Sequence, residues 1–351
     1  MPPVRLNLFD VLRLLAATLV IYGHSFPLLG LGEPGADLPS RVWPFTDAGA
    51  IGVYIFFTIS GYLNAKSVVK NRPAVFYLNR CLRIFPGLLV ALLFTVLVIG
   101  IVCTRLPAGT YLSSAQTWFY VLDTGLLLPG HSSLPGVFED NLYKGAVNGS
   151  LWTLRIEFVL YLMLPIVVNL PGKKWMSALL LAASFLVAHL VLVHMSVKAA
   201  HFPQIGFVDA VAANAFCFFA GAFMAYAQWD KTSPLRLVGV LTVLLVSAHT
   251  VYGLVCFFLL FPLLVIQVGS IETRARVLTH DFSYGLYIYA FPVQQATYHF
   301  LAGSWPATWL AALALALAML LAALSWFWVE KPMLAKRDAI AASLLRSPVR
   351  V

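Results

Sequence analysis

The chain has 351 residues, 61% of them hydrophobic and 11% charged, with a mean hydropathy of +0.86 and a formal net charge of +9. Soluble domains carry about 25% charged residues, so this composition excludes a water-soluble globular enzyme, a disordered tail and a fibrous coiled coil. The apolar runs are long and continuous rather than alternating, which excludes a transmembrane β-barrel and points to a polytopic α-helical membrane protein.

A helix needs about 20 apolar residues to cross a bilayer core. Ten segments qualify in chain order: 8–29, 47–65, 84–103, 150–170, 175–196, 207–228, 235–249 (the shortest), 252–269, 282–301 and 307–329. The first follows Arg5 and shows no small-x-small cleavage pattern, so it is expected to be an uncleaved span and not a signal peptide. The stretch 118–130 is interrupted by Asp123 and ends at Pro129-Gly130, which predicts a re-entrant or interfacial piece. With the N-terminus inside, the inner loops and tails hold 17 Lys and Arg residues and the outer segments 4, with Arg13 and Arg155 inside spans. That bias is the positive-inside pattern and predicts ten transmembrane helices with both termini cytoplasmic. It also accounts for the basic balance, and no nucleic-acid partner is expected. Residues 1–330 are expected to form one transmembrane domain, followed by a short basic tail, 331–351.

Cys81, Cys103, Cys217 and Cys256 stand alone, with no CxxC or Cys/His cluster, so neither a disulfide framework nor a metal site is expected. Charged groups inside the apolar runs are more informative, because each costs roughly 2.5–3.5 kcal/mol on insertion scales. Asp10 and Arg13 are i,i+3 neighbours able to pair on one face of the first helix, and His24 follows about 16 Å further along the axis. Glu157, in SLWTLRIEFVLYLMLP, lies at a depth similar to that of His24 in the outer half of the bilayer. The two can pair as a catalytic base and its acidic orienter, or as an ion pair that fixes helix packing. Arg155 faces another direction on the same helix, toward a different cavity wall or a bound substrate. Arg80 and Arg83 project from one face at the cytoplasmic boundary, where arginine forks suit phosphate groups or anchor the chain to anionic lipids. Ser60-Gly61 offers a small-residue surface for close helix approach or a narrow passage. His194, His201, His249, His280 and His299 fall at span ends or in loops and are read as interfacial hydrogen bonders.

Together these residues resemble the acyltransferase-3 family of integral membrane acyltransferases, which modify cell-surface glycans. The resemblance runs through FDVLRLLAATLVIYGH (Asp10, Arg13, His24), GVYIFFTISGYL (Ser60), NRCLRIFP (Arg80, Arg83), SLWTLRIEFVLYLMLP (Trp152, Arg155, Glu157, Tyr161), SYGLYIYAFP and WFWVEKP, in that order. The chain departs from many relatives at Ala290-Phe291-Pro292, where a histidine is common, and it is expected to work as a stand-alone transmembrane unit, without the hydrolase-like domain that many relatives append. The resemblance implies an O-acyltransferase of a bacterial inner membrane that takes an acyl group, most often acetyl, from cytoplasmic acyl-CoA to a glycan hydroxyl outside. On that basis His24 is the general base and Glu157 its orienter, while Arg13, Arg80 and Arg83 hold the CoA phosphates. Asp10, Ser60, Trp152, Arg155 and Tyr161 are structural or line the substrate path. Transfer is direct or passes through an acyl-histidine. The competing reading is a proton-coupled transporter or flippase of glycan or lipid-linked sugar. The two halves of the chain, however, lack the internal similarity such carriers often show.

Overall fold

The computed structural model describes residues 7–144, 146–198, 203–273, 277–301 and 305–346. Arg5, His201 and the last five residues of the basic tail lie outside them. Among the described residues the chain is helical, with no β-strand and one isolated bridge, Thr104 to Val137.

Among the described residues, ten principal helices overlap the ten apolar segments. In chain order the elements are α1 (Phe9–Leu28), α2 (Ala48–Lys70), α3 (Pro73–Phe94), a short amphipathic α4 (Ala115–Gly125), α5 (Trp152–Val168) and α6 (Lys174–Lys198). They continue with α7 (Pro203–Ala227), α8 (Pro234–Ser247), α9 (Gly253–Gly269), α10 (Ser283–Phe300), α11 (Ala307–Ser325) and a tail helix, α12 (Arg337–Arg346). Six helical stretches are long and apolar enough to cross a membrane: α1, α2, α3 with its continuation to Cys103, α6, α7, and α11 with its continuation. The 14-residue α8 is the shortest of the ten, as its sequence indicated.

Local chemistry sets the ends. Asp47 caps α2 by accepting from the Ala50 amide at 2.9 Å, and Asn71 closes it by donating to the Ser67 carbonyl. Pro73 then starts α3, a position where the missing amide hydrogen is not needed. Arg80 and Arg83, which precede the apolar segment 84–103, lie inside α3, because nothing between Pro73 and Pro86 breaks the helix and only Asn71-Arg72 separates it from α2. α3 continues through a π-helical turn, Thr95–Gly100, and α11 through another, Trp326–Glu330. The interrupted stretch at 118–130 is α4 followed by a turn with Leu127 at φ 57°, and α4 leaves Trp118, Phe119 and Leu122 exposed.

The chain packs as two compact units. The first comprises residues 1–16, 38–73 and 156–280, and the second 17–37, 74–155 and 281–351. In the first, α2 and α7 meet backbone to backbone. A Cβ on Gly61 would stand 1.8 Å from the Phe218 carbonyl oxygen, and one on Gly221 would stand 2.1 Å from that of Thr58. This is the close helix approach that Ser60-Gly61 suggested. The α2 and α7 spans are each 67% buried by protein, whereas α6, packed on α7, is 17% buried. Phe257 and Phe258 of α9 form an aromatic core with Trp43, Phe45 and Tyr54.

In the second unit α10 lies along α11, with Gly285 against Ala322. Its glutamines hold neighbouring backbone. Gln294 donates to the Ile21 carbonyl and to Ser25 Oγ, both at 2.8 Å, while Gln295 donates to the carbonyls of Tyr143 and Ala146. Asn141 and Asn148 return bonds to α10, so the long outer segment is stitched to that helix.

The contact of α2 with α7 leaves no room for a methyl group. Gly61→Ala and Gly221→Ala are expected to lower the melting temperature in detergent sharply and to cut the yield of monodisperse protein. Gly239→Ala, on α8 with nothing within 4 Å of the added carbon, is expected to be neutral or to stabilise slightly. A wild-type melting curve for Gly61→Ala would contradict the packing described.

Candidate active site

Glu157 sits on the second turn of α5, and a carboxylate at that depth requires donors. It has two, both on the same oxygen. Ser60 Oγ donates to Oε1 at 2.5 Å, and the Tyr161 hydroxyl, one turn further along α5, donates to Oε1 as well. The two hydroxyls are 2.6 Å apart. Asn64 Nδ2 reaches back one turn along α2 to Ser60, 2.8 Å from its carbonyl and 3.3 Å from its Oγ. Ser60, Asn64 and Tyr161 are all buried. Three expected site residues, Ser60, Glu157 and Tyr161, therefore form one closed cluster, and Asn64, which sequence reading missed, completes it.

α1 runs unbroken through Asp10, Arg13 and His24. Arg13 Nη1 pairs with Asp10 Oδ1 at 3.2 Å, the expected i,i+3 bridge, with both side chains partly exposed. His24 stands edge-on to Phe291 with ring centroids 5.1 Å apart. Its buried Nδ1 has no hydrogen-bond partner among the described residues.

The two arginines of α3 have different surroundings. The Arg80 guanidinium lies 5.8 Å from the Phe76 ring centroid. Arg83 Nη2 pairs with Asp281 at 2.5 Å, Nη1 lies 3.6 Å from Glu330, and the guanidinium faces the Tyr284 and Trp326 rings. Glu330 is 2% exposed, brought inward by the π-helical turn that extends α11, and it accepts a bond from Ser325. Asp281 also takes the Ser283 amide and hydroxyl at the start of α10. In this way the segments NRCLRIFP, SYGLYIYAFP and WFWVEKP converge on one guanidinium.

On the outer segment, Arg155 donates to the Leu128 carbonyl at 2.5 Å and pins the turn after α4. Trp152, half-buried, opens α5. Asp123 accepts from the His131 amide and pairs with its ring, which stacks on Phe119. These bonds hold the Asp123 carboxyl below the usual carboxylate range. A second histidine absent from the sequence reading, His189, is 4% exposed and bonds Asp209 through Nδ1 at 2.6 Å.

Comparison with known proteins decides what such a constellation belongs to. The sequence model of the acyltransferase-3 family, described as an acyltransferase domain, matches residues 6–327. The chain belongs to this family. Curated relatives of this acyltransferase include a protein of Shigella phage Sf6 named O-acetyl transferase, 31% identical over 349 residues, covering 94% of this chain and 96% of the relative. Nodulation protein 10 of Rhizobium leguminosarum bv. viciae is 27% identical, with 97% and 96% covered. No solved structure matches the chain. The matched region contains every residue of the Ser60–Glu157–Tyr161 cluster, together with Arg83 and Asp281, whereas Glu330 lies just beyond it.

Loss of Arg83 would leave the buried Glu330 carboxyl and the partly buried Asp281 carboxylate without their shared cation. Breaking a buried pair by removing one partner costs about 3–5 kcal/mol. Arg83→Ala is expected to lower thermal stability strongly, and Arg83→Ala combined with Glu330→Gln to recover part of that loss. Equal melting temperatures for wild type and Arg83→Ala would show that the pair does not hold the helices together.

Proposed function

We propose that this acyltransferase moves an acyl group, in the first instance acetyl, from cytoplasmic acyl-CoA to a hydroxyl of an extracytoplasmic polysaccharide or lipid-linked glycan. O-antigen and exopolysaccharide are acceptors of the right kind. The observation that carries the reading is the family match across 6–327 joined to the full-length similarity to a protein named O-acetyl transferase.

On this reading residues 1–330 form a ten-span unit in a bacterial inner membrane with both termini, and the basic tail 331–351, in the cytoplasm. The 17-to-4 distribution of basic residues supports that orientation. Arg13, Arg80 and Arg83 lie at the end of their helices that this topology makes cytoplasmic, where they meet the CoA phosphates. For Arg83 this is a second duty beside its ion pairs. His24 acts as general base on the acceptor hydroxyl. The unpartnered Nδ1 of His24 supports the assignment, because a buried ring nitrogen without a partner has no evident packing duty.

Mass spectrometry of surface and exported glycans tests this reading in cells producing wild-type or His24→Ala protein at matched levels. A mass increase of one acyl group is expected only with the wild type, and Glu157→Gln is expected to lower acylation strongly. Equal acylation by wild type and His24→Ala would remove His24 from catalysis. In purified protein, Arg80→Ala is expected to weaken acyl-CoA binding.

A further inference from the structure

Ser60 has more around it than a packing role needs. A lone carboxylate in a membrane helix can be satisfied by a hydroxyl one turn away on its own helix, and Tyr161 already supplies one to Glu157. Ser60 nevertheless approaches the same Oε1 at 2.5 Å from a different helix, with its Oγ flanked by Asn64 Nδ2. A hydroxyl on a base that is itself held by a third group is the arrangement of an activated nucleophile. Asn64 Oδ1 is buried with no partner among the described residues, so the amide is not committed to packing on both sides. The backbone contact at Gly61 fixes Ser60 in place, because α2 cannot slide or rotate against α7 there. Along α2 Ser60 precedes Lys70 by ten residues, about 15 Å of helix. On the topology proposed above Lys70 is the cytoplasmic end, and a pantetheine arm of roughly 15–20 Å carries a thioester over that distance.

We propose that Ser60 is a covalent acyl carrier. The proposal rests on the acyl-CoA-dependent reading and deepens it from a single transfer to two. In the first, Ser60 Oγ bonds the thioester carbonyl carbon and Glu157 takes the Oγ proton. The C–S bond breaks, the thiolate leaves, and Glu157 returns the proton to it as free CoA. Asn64 Nδ2 faces the oxygen on which charge develops. In the second, the glycan hydroxyl oxygen bonds the same carbon, the C–Oγ bond breaks, and the hydroxyl proton ends on Ser60 Oγ. Tyr161 is a positioning residue that keeps Oε1 aimed at Ser60.

The test uses purified full-length enzyme and isotope-labelled acetyl-CoA without any glycan. After acid quenching, peptide mass spectrometry is expected to find one acetyl group on the Ser60 peptide, and adding glycan is expected to chase it off. Labelled CoA is expected to exchange into acetyl-CoA in the absence of acceptor, and Ser60→Ala to abolish that exchange. Ser60→Cys, which keeps a nucleophile at the position, is expected to carry the label in a form released by neutral hydroxylamine. Glycan acetylation by wild type with no label on the Ser60 peptide would overturn the carrier while leaving the transferase reading intact. So would exchange and transfer surviving in Ser60→Ala. Absence of acetyl transfer by wild type to either enzyme or glycan would instead overturn the transferase reading, and the carrier with it.

Discussion

A polar group within an apolar helix cannot fall back on water, so it must find its partners among other helices or on the next turn of its own. Much of what organises this chain follows from that requirement. Glu157 is answered by Ser60 and Tyr161, Arg83 by Asp281 and Glu330, and Gln294 by Ser25 and the backbone of Ile21. These bonds choose which helices are neighbours, because apolar side chains gain little by leaving lipid for one another. Small residues then decide how close the chosen helices come. Gly61 and Gly221 bring α2 and α7 into backbone contact, and the serine beside Gly61 is the one that reaches the carboxylate.

The helices themselves were legible from hydropathy, as was the Asp10–Arg13 bridge, because both are local. A run of apolar residues needs no distant partner to be helical, and an i,i+3 pair lies within one turn. The special value of Ser60-Gly61 was also visible, since a small pair among aromatic residues leaves few other uses. That Ser60 bonds Glu157 and Asp281 bonds Arg83 was not legible, because these partners lie 97 and 198 positions away in the chain. Asp281 reads in sequence as a residue at a helix start, a duty it does perform through Ser283. Nothing nearby shows that it also faces an arginine on another helix.

The π-helical turns were hidden for a different reason. They leave the composition of a helix unchanged and alter only its phase, and phase is hard to read where every face is apolar. In the turn Trp326–Glu330 that change of phase brings a carboxylate inward to Arg83, where sequence reading placed Glu330 just outside the last span. The glutamines and asparagines joining the outer segment to α10 were not legible, because their partners lie 140 to 154 positions away in the chain. In the fold they tie Asn141, Tyr143, Ala146 and Asn148 to that helix.

The uneven burial of the first unit bears on how the protein meets membranes of different thickness. α2 and α7 are mostly wrapped by protein, while α6 turns most of its surface to its surroundings. Hydrophobic mismatch acts through surface in contact with lipid, and it is relieved by tilting the helices that offer such surface. The strain of a thinner or thicker bilayer therefore falls first on α6, and the glycine-locked pair carrying Ser60 is shielded from it. A cluster whose members must keep fixed distances from one another gains tolerance to lipid composition from a neighbouring helix that yields.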